Sequence, residues 1–271
     1  MVNTTSVRKG YVDTDEGQVH YRYGGPPDYL AVVLLHQNTS SSDMYTEAIG
    51  AFDDDRYVVA PDIPGAGLSY TPEEVSSMDY YADAIVEALE GLGIETYHIC
   101  GHHTGASVAA EIAVGYPDAV ESVTFTGPPY LTAEERRAYA EEFDPQEAVP
   151  PLDPDGDYLI HHWENHATVS GLGDLEHRHR AVVDAILAHG AIGQVYENLW
   201  DEDFQQPFQE IGDLGIPRMV VSSADDTLRV GYERVISEHP DVRAVELGGG
   251  DYEPLLDAER FVKAVEAFVD D

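Results

Sequence analysis

Apolar residues occur along this chain in two patterns, short continuous runs and longer stretches with helical periodicity. The runs are typical of strands buried on both faces of a parallel sheet. In the longer stretches, apolar residues recur along one helix face, as Ala82, Ile85 and Leu89 do. The patterns predict strands at 30–35, 57–60, 96–100, 122–126, 218–222 and 242–247, and helices at 80–92, 106–116, 232–238 and 257–269.

Residues 8–23 predict a different local structure. Residues 8–13 and 18–23 flank the turn residues 14–17, and in the second segment Val19, Tyr21 and Tyr23 alternate with polar positions. This pattern predicts an antiparallel hairpin ahead of the parallel strands. Because strands and helices then alternate without internal repeats, the fold class is α/β, a mostly parallel twisted sheet with helices on both faces.

Between residues 130 and 210 the alternation of strands and helices stops. Helices are predicted at 132–143, 160–169 and 175–188, with a proline-rich segment at 144–154. The segment is interpreted as a helical cap inserted between core segments 1–129 and 211–271. A cap over the carboxyl ends of parallel strands commonly forms a substrate pocket. The alternative is a helical insertion that has only a structural role.

Charge is the most unusual feature of the composition. Asp and Glu number 52 against 14 Lys and Arg, for a formal charge of -38, and Lys9 and Lys263 are the only lysines. At molar salt the Debye length is about 3 Å, so repulsion between surface charges is screened. A halophilic origin, of the haloarchaeal type, is therefore predicted. Binding to nucleic acid or to an anionic membrane is disfavoured because the charges have the same sign.

The cellular location of the protein and the state of its cysteine are predicted from simpler observations. Cys100 is the only cysteine, so no internal disulfide is possible, and it is expected to be a buried thiol at a strand end. Residues 1–6 contain no apolar segment, and eighteen apolar residues never occur together. We expect a cytoplasmic protein without membrane contact, as a monomer or a homodimer.

The stretch from Cys100 to Ala106 carries the strongest motif. It reads Cys-Gly-His-His-Thr-Gly-Ala, in which two glycines frame a sharp turn between a strand and a small-residue helix. In this Gly-x-Nuc-x-Gly layout, the turn raises one side chain above the sheet edge. Here that side chain is His103, where a serine, cysteine or aspartate is expected.

Five stretches in order resemble the α/β-hydrolase family, and the resemblance covers nearly the whole chain outside the cap. They are the His36-Gln37 turn, the segment Asp62-Ile-Pro-Gly-Ala-Gly-Leu-Ser69, the elbow at 101–105, the acids at 225–226 and the glycine-rich loop at 248–254. The resemblance implies an α/β-hydrolase fold with a nucleophile at the elbow, then an acid, then a histidine in the last loop.

Residue by residue, the resemblance implies an altered set of catalytic groups. His103 occupies the nucleophile position, Asp226 the acid position and Asp251 the position of the last-loop histidine. A serine–histidine relay is therefore not available. The family's oxyanion hole would correspond to the backbone N–H groups of Gln37 and Thr104, which do not depend on side-chain identity.

Three functional hypotheses remain open at this stage. In the first, His103 is a general base, oriented by Asp226 or Asp251, in a hydrolase or lyase-like enzyme acting on a small ester, lactone or related molecule. In the second, the pocket persists without catalysis as a small-molecule binding or sensory protein. In the third, His36, His103, Asp226 and Asp251 hold a metal. The preferred hypothesis requires no cofactor and no metal.

Other candidate residues have weaker signals. His36, His102, Tyr130, Trp163 and Tyr252 are candidate pocket residues, although packing is the common role of such aromatic residues. Histidines in the cap invite a metal hypothesis, and the His162–His166 pair is one helical turn apart. Polar cap residues that face a pocket or solvent explain them equally well. These cap histidines are His161, His162, His166, His177 and His179.

The acidic composition leads to a direct prediction about salt. Because screening of surface repulsion requires high ionic strength, moving the protein from molar to millimolar NaCl should unfold or aggregate it. Far-ultraviolet circular dichroism and light scattering across a salt series would measure this. A folded, monodisperse protein in millimolar salt would contradict the halophilic interpretation.

Overall fold

The computed structural model describes residues 7–73, 77–142, 150–168 and 172–271. Its eight strands form one sheet in the order β1-β2-β4-β3-β5-β6-β7-β8. β1 and β2 form the antiparallel hairpin, β2 pairs antiparallel with β4, and every other pairing is parallel. The strands are β1 (Arg8–Asp13), β2 (Gln18–Gly24), β3 (Ala31–Leu35), β4 (Tyr57–Pro61), β5 (Tyr97–His102), β6 (Val120–Thr126), β7 (Arg218–Ser223) and β8 (Arg243–Leu247). The predicted α/β fold class is confirmed.

Helices join successive parallel strands and form the segment between β6 and β7. A 3-10 helix (Ser42–Tyr45) with a short α-helix after it was not predicted, and neither were the two helices at 192–213. Phe143, residues 144–149 and Val169, all parts of predicted cap segments, lie outside the described residues. The helices are α1 (Thr46–Ile49), α2 (Met78–Gly91), α3 (Thr104–Gly115), α4 (Ala133–Glu142), α5 (Asp157–Thr168), α6 (Leu175–Leu187), α7 (Ile192–Leu199), α8 (Gln205–Asp213), α9 (Arg229–Glu238), α10 (Glu253–Leu256) and α11 (Ala258–Val269).

Apolar side chains cover both faces of the sheet. Along β3, Val33 and Leu35 belong to the cluster packed under α2 and α3, whereas Val32 and Leu34 belong to the cluster packed under α1 and α11. Successive side chains of a strand point to opposite faces. A strand with helices on both sides must therefore be apolar throughout, which explains the continuous runs in the sequence.

The segment between β6 and β7 is helical where it is described, and an ionic cluster joins it to the core. On α6, Arg180 donates to both oxygens of Glu47, at 2.5 and 3.2 Å, and to a side-chain oxygen of Asp43 at 2.5 Å. One turn later, Asp184 accepts a 2.8 Å hydrogen bond from the Ser41 hydroxyl. These contacts place α6 against the loop that follows β3.

The predicted boundary of the cap at residue 210 falls inside α8. Phe208 and Ile211 of this helix are fully buried in the main core, and the Phe208 ring lies 5.5 Å from that of Phe125 on β6. α8 therefore packs as a core helix, and the division into core and cap remains a prediction. No helix in the described residues is long and apolar enough to cross a membrane.

The turn between β5 and α3 depends on the absence of two side chains. A Cβ at Gly101 would lie 2.1 Å from the carbonyl oxygen of Gly105. A Cβ at Gly105 would lie 2.3 Å from the carbonyl oxygen of Leu35 and 2.7 Å from that of His36. Backbone atoms cannot give way as flexible side chains can. The two glycines thus allow α3 to begin directly against the end of β3.

The contact at Gly105 predicts the effect of one added methyl group. Gly105→Ala should lower the free energy of unfolding by about 1–3 kcal/mol or more, because overpacking in a rigid site forces backbone shifts. Urea denaturation in molar salt would measure it.

Gly115→Ala is the matched control on the same helix. A Cβ at Gly115 meets nothing within 4 Å, so we expect a change of at most about 1 kcal/mol, in the stabilising direction. Equal effects of the two substitutions would contradict the steric account.

Candidate active site

His103 stands at the top of the sheet, between β5 and α3. Its backbone has φ of 47° and ψ of -109°, and it is one of two described non-glycine residues with positive φ. Its N–H donates to the carbonyl oxygen of Thr126, at the end of the neighbouring strand β6, over 2.9 Å. This is the strained strand-to-helix turn that the motif predicts. The geometry directs the imidazole above the carboxyl ends of the strands.

Gly127 makes room for the imidazole. A Cβ at this position would lie 2.2 Å from Cδ2 and 2.3 Å from Nε2 of His103, and 2.7 Å from Oδ2 of Asp226. Gly127 has φ of 53°, a conformation that glycine adopts without strain. The ring therefore lies with its Cδ2–Nε2 edge against the turn after β6.

His103 and Asp226 form a hydrogen-bonded pair. Nε2 of His103 lies 3.2 Å from Oδ1 of Asp226, and the side chain of His103 is 13% exposed. A carboxylate only accepts hydrogen bonds, so in the neutral imidazole Nε2 carries the proton and Nδ1 has the free lone pair. Among the contacts of the described residues, Nδ1 has no hydrogen-bond partner. Nδ1 is thus the nitrogen available to act as a base.

Asp226 is held as a carboxylate by several donors. Oδ1 accepts the N–H of Leu228 at 2.7 Å, and Oδ2 accepts the Ser222 hydroxyl at 3.0 Å. Burial raises the pKa of Asp226, but the charge and hydrogen bond of His103 and the Leu228 N–H outweigh it and lower the pKa below its usual range. Ser222 was not identified from the sequence, since a serine ending a buried strand carries no specific signal.

The negative charge of Asp226 in turn raises the pKa of His103. Burial lowers the pKa of His103, but the charge of Asp226 and the hydrogen bond to it, with a contribution from Asp251, outweigh burial. The pKa is therefore raised above the usual value of histidine. Folding favours the protonated form, so this contribution to stability is present below about pH 6.5 and is lost as the pH rises through the folded pKa.

Asp251 completes a group of three. Its Oδ1 accepts the N–H of Thr227 at 2.7 Å. One ligand atom each from His103, Asp226 and Asp251 lie within 4.8 Å of one another, which is the one such group of three or more in the described part of the chain. This set could hold a metal ion, although its carboxylates already accept the hydrogen bonds given above.

His36 does not belong to this set, which corrects the four-residue metal hypothesis. It is buried, its Nδ1 donates to the carbonyl oxygen of Gln37 at 2.8 Å, and its Nε2 accepts the N–H of Ile63 at 2.9 Å. Burial lowers its pKa, against the charge of Asp62 and the hydrogen bond to Gln37. Both nitrogens are occupied, so His36 links the loops after β3 and β4 and has no free lone pair for a metal or a substrate.

Gln37 and Thr104, the residues predicted to form an oxyanion hole, lie in the loop after β3 and at the start of α3. Thr104 is the first residue of α3, and the N–H groups of a first helical turn have no partner within the helix. Gln37 follows β3 by two residues, at the loop that contacts Gly105. Both residues are buried. The role of their N–H groups toward a substrate remains a prediction.

Of the predicted pocket residues, Tyr130 and Trp163 are placed elsewhere. The Tyr130 ring is 4% exposed, its centroid lies 5.2 Å from that of Phe208, and its hydroxyl contacts Glu238 and His239 at the far end of α9. Burial leaves it no surface to line a cavity. Trp163 lines a cleft of about 550 Å³ between α5 and α6, with Arg178 5.1 Å from its ring, and no residue of the His103 group lines that cleft.

Tyr252 and His102 have structural contacts close to the site. Tyr252, next to Asp251, is buried, and its hydroxyl lies 3.4 Å from Nδ1 of His166 on the cap helix α5. His102 is fully buried, with its ring centroid 4.4 Å from that of His103 and its Nε2 3.3 Å from Oε2 of Glu253. Neither the buried Glu253 nor Tyr196 of α7 was identified from the sequence.

The cap histidines do not form a metal-binding group of three among the described residues. His162 and His166 are both buried, on one face of α5. Burial, with a smaller effect of His162, lowers the pKa of His166 to about 4, so it is neutral at physiological pH. His161 lines the cap cleft. His177 lies 3.7 Å from the Asp174 carboxylate, and His179 is exposed. Packing and solvent contact account for these five residues.

Comparison with known proteins agrees with this architecture. The family model of the alpha/beta hydrolase fold matches residues 31–228, which is most of the chain. The chain therefore belongs to the α/β-hydrolase fold family.

Individual relatives cover a smaller part of the chain. It is 33% identical over 116 residues to haloalkane dehalogenase 2 of Mycobacterium tuberculosis (strain ATCC 25618 / H37Rv), covering 42% of this chain and 39% of that protein. It is 28% identical over 127 residues to a proline iminopeptidase of Heyndrickxia coagulans, covering 44% and 43%. The alignments span about two fifths of the length of these relatives. A hydrolase from Pseudomonas aeruginosa PA01 superposes with a TM-score of 0.78 at 17% identity, over 97% of this chain and 99% of that one, which shows a shared fold.

The dyad predicts how the pKa of His103 responds to mutation. Asp226→Asn removes the negative charge that raises this pKa, so the midpoint should fall below its value in the wild-type protein. Titration of the imidazole resonances by NMR, with His103 assigned from the spectrum of a His103→Gln variant, would measure it.

Asp225→Asn is the matched control, because it removes the same charge from the neighbouring exposed position. It should leave the His103 midpoint almost unchanged. A dyad is ruled out if the two variants shift the midpoint equally.

Proposed function

We propose that this protein is a hydrolase in which His103 acts as a general base on water, with no covalent serine intermediate. The observation that carries the proposal is the 3.2 Å contact between Nε2 of His103 and Oδ1 of Asp226. It leaves Nδ1 free and aligns the imidazole above the sheet. An Asp–His pair with a raised histidine pKa is suited to take up a proton near neutral pH.

The proposed reaction has two steps. Nδ1 of His103 removes a proton from water as the water oxygen attacks the substrate carbonyl carbon, and the negative charge develops on the carbonyl oxygen. The N–H groups of Gln37 and Thr104, the latter at the start of α3, are suited to stabilise that oxygen. The C–O bond to the leaving group then breaks, and the imidazolium returns the proton to the departing alkoxide. The products are an acid and an alcohol, and His103 is regenerated.

The composition and the relatives restrict the proposed substrate. With a formal charge of -38, the protein would repel molecules that carry several negative charges. A small, uncharged or weakly polar ester or lactone fits a site with two carboxylates beside the base. The two named relatives are a dehalogenase and a peptidase. This variety supports hydrolysis as the reaction class but does not indicate which type of substrate bond is cleaved. We propose that the cap segment closes this pocket and that the protein works in molar salt.

A second candidate function is a small-molecule binding or sensory protein without catalysis. The observation that favours it is the elbow itself, where histidine replaces the nucleophilic side chain. In a serine triad, loss of the nucleophile costs about a million-fold in turnover. The pocket would then bind its ligand through the same His103–Asp226 pair. Turnover of any substrate that depends on His103 would rule out this candidate.

Activity assays should separate the two candidates. A panel of small esters, lactones and epoxides at molar salt should include a substrate whose turnover falls about 100-fold or more in His103→Gln, the usual contribution of a general base. The rate should rise with pH as His103 loses its proton.

His179→Gln, an exposed cap histidine, is the matched control and should retain wild-type turnover. Serine-directed phosphonates should fail to label the protein. Unchanged turnover in His103→Gln, or stoichiometric labelling, would contradict the mechanism.

A further inference from the structure

Helix α6 is joined to the core by two polar side chains one turn apart. Arg180 donates to Oε1 of Glu47 at 2.5 Å, to Oδ2 of Asp43 at 2.5 Å and to the carbonyl oxygen of Asp43 at 2.6 Å. Asp184 accepts the hydroxyl of Ser41 at 2.8 Å. We call these contacts the α6 clasp. Its core side lies entirely in the segment that follows β3.

The carboxylates of the clasp are not equally compensated. Asp43 pairs with Arg180 and also with Arg22 of β2, and Glu47 pairs with Arg180. Asp184 is 7% exposed and accepts a neutral hydroxyl, and among the described residues the cations of the clasp pair with the other two carboxylates. A buried carboxylate without a cation is costly. Asp184 is therefore the weak point of the clasp when it is ionised.

The same part of the chain also contacts the loop after β8. Leu172 and Ala181 form a small apolar cluster with Tyr252 and Leu255. The Tyr252 hydroxyl lies 3.4 Å from Nδ1 of His166 on α5. The segment around α6 thus spans the loops after β3 and β8, so its release would uncover both of them.

We propose that the docking of α6 on the core is a pH-dependent clasp, which is closed while Asp184 carries a proton and loosens when Asp184 ionises. Arg180 supplies attraction but no pH dependence in this range, because a guanidinium stays charged. The inference concerns the docking of the helix and does not depend on the proposed function.

The charged and titratable groups around the clasp come from six parts of the structure. They are His20 and Arg22 on β2, Asp43 on the 3-10 helix, Glu47 on α1, Asp62 after β4, Arg180 on α6, and His162 and His166 on α5. Burial raises the pKa of Asp184 to about 7, and the charges of Asp43 and Asp62 act in the same direction, against the Ser41 hydroxyl and Arg22. Burial lowers the pKa of both α5 histidines, so they are neutral at pH 7.

The direction of the pH effect follows from these values. In the undocked helix Asp184 would be exposed, with the ordinary aspartate pKa of about 3.9, whereas docking raises the pKa to about 7. Between these values the docked form binds one proton more than the undocked form. The docking equilibrium should therefore fall by about tenfold per pH unit from pH 4 to pH 7, and level off above pH 7.

Hydrogen exchange of the α6 amides tests the inference, at molar salt from pH 5 to pH 8 and corrected for the intrinsic exchange rate. In the wild-type protein, protection of α6 should fall by about tenfold per unit up to pH 7 and then stay constant. Helix α2 in the core should not show this change. Asp184→Asn is neutral, similar in shape and still accepts the Ser41 hydroxyl, so its α6 protection should not vary with pH.

Glu176→Gln is the matched control, because it removes a carboxylate from an exposed position on the same helix. It should keep the pH dependence of the wild type. Carbon-13 NMR titration of the Asp184 carboxyl group in the wild-type protein should give a midpoint near pH 7.

Constant α6 protection in the wild type, an unchanged pH dependence in Asp184→Asn, or an Asp184 midpoint near pH 4 would overturn the inference. Should Asp184→Asn fail to fold, the wild-type exchange series and the carboxyl titration still decide. Neither measurement needs a substrate. A failure of the activity panel would therefore count against the proposed function and leave the result on the clasp intact.

Discussion

The site depends on how closely the backbone of α3 approaches the end of β3. Gly105 makes this possible because a Cβ there would lie 2.3 Å from the carbonyl oxygen of Leu35. The approach lifts His103 into a positive-φ turn and places the first N–H groups of α3 beside the loop that begins at His36. Strain at His103 is maintained because strands on both sides of β5 fix the turn. Changes of side chain at the elbow can therefore alter the chemistry while this frame persists.

The charges and hydrogen bonds around Asp226 also determine the geometry of the site. One buried carboxylate orients the imidazole of His103 and accepts both the Ser222 hydroxyl and the Leu228 N–H. Burial alone would raise the pKa of this carboxylate, and the charge and hydrogen bond of His103 with the Leu228 N–H lower it instead. The same residue type thus has different roles on the surface and beneath the site.

The sequence predicted the parts of this molecule that have a periodic or ordered signal. Buried strands produce continuous apolar runs, and the elbow, the acid at 226 and the glycine-rich loop occur in the order of the family. Side-chain direction has no such signal. Tyr130 was expected at the pocket and packs in the core, and the tautomer of His36 depends on an N–H of Ile63, 27 residues away. Glu253 resembles any other glutamate in the sequence, because burial of a carboxyl group arises only in the assembled fold.

The space at Gly127 constrains which pairs of residues positions 103 and 127 can hold together. An imidazole at position 103 and any side chain at position 127 would occupy the same volume, since their nearest atoms would be 2.2 Å apart. A chain with a Cβ at 127 could not have accepted histidine at the elbow without displacing the turn after β6. Histidine at position 103 in this conformation therefore requires glycine at position 127, a residue that has no chemistry of its own. Substitution of His103 by a small residue would meet no such conflict, so position 103 can vary more freely than position 127.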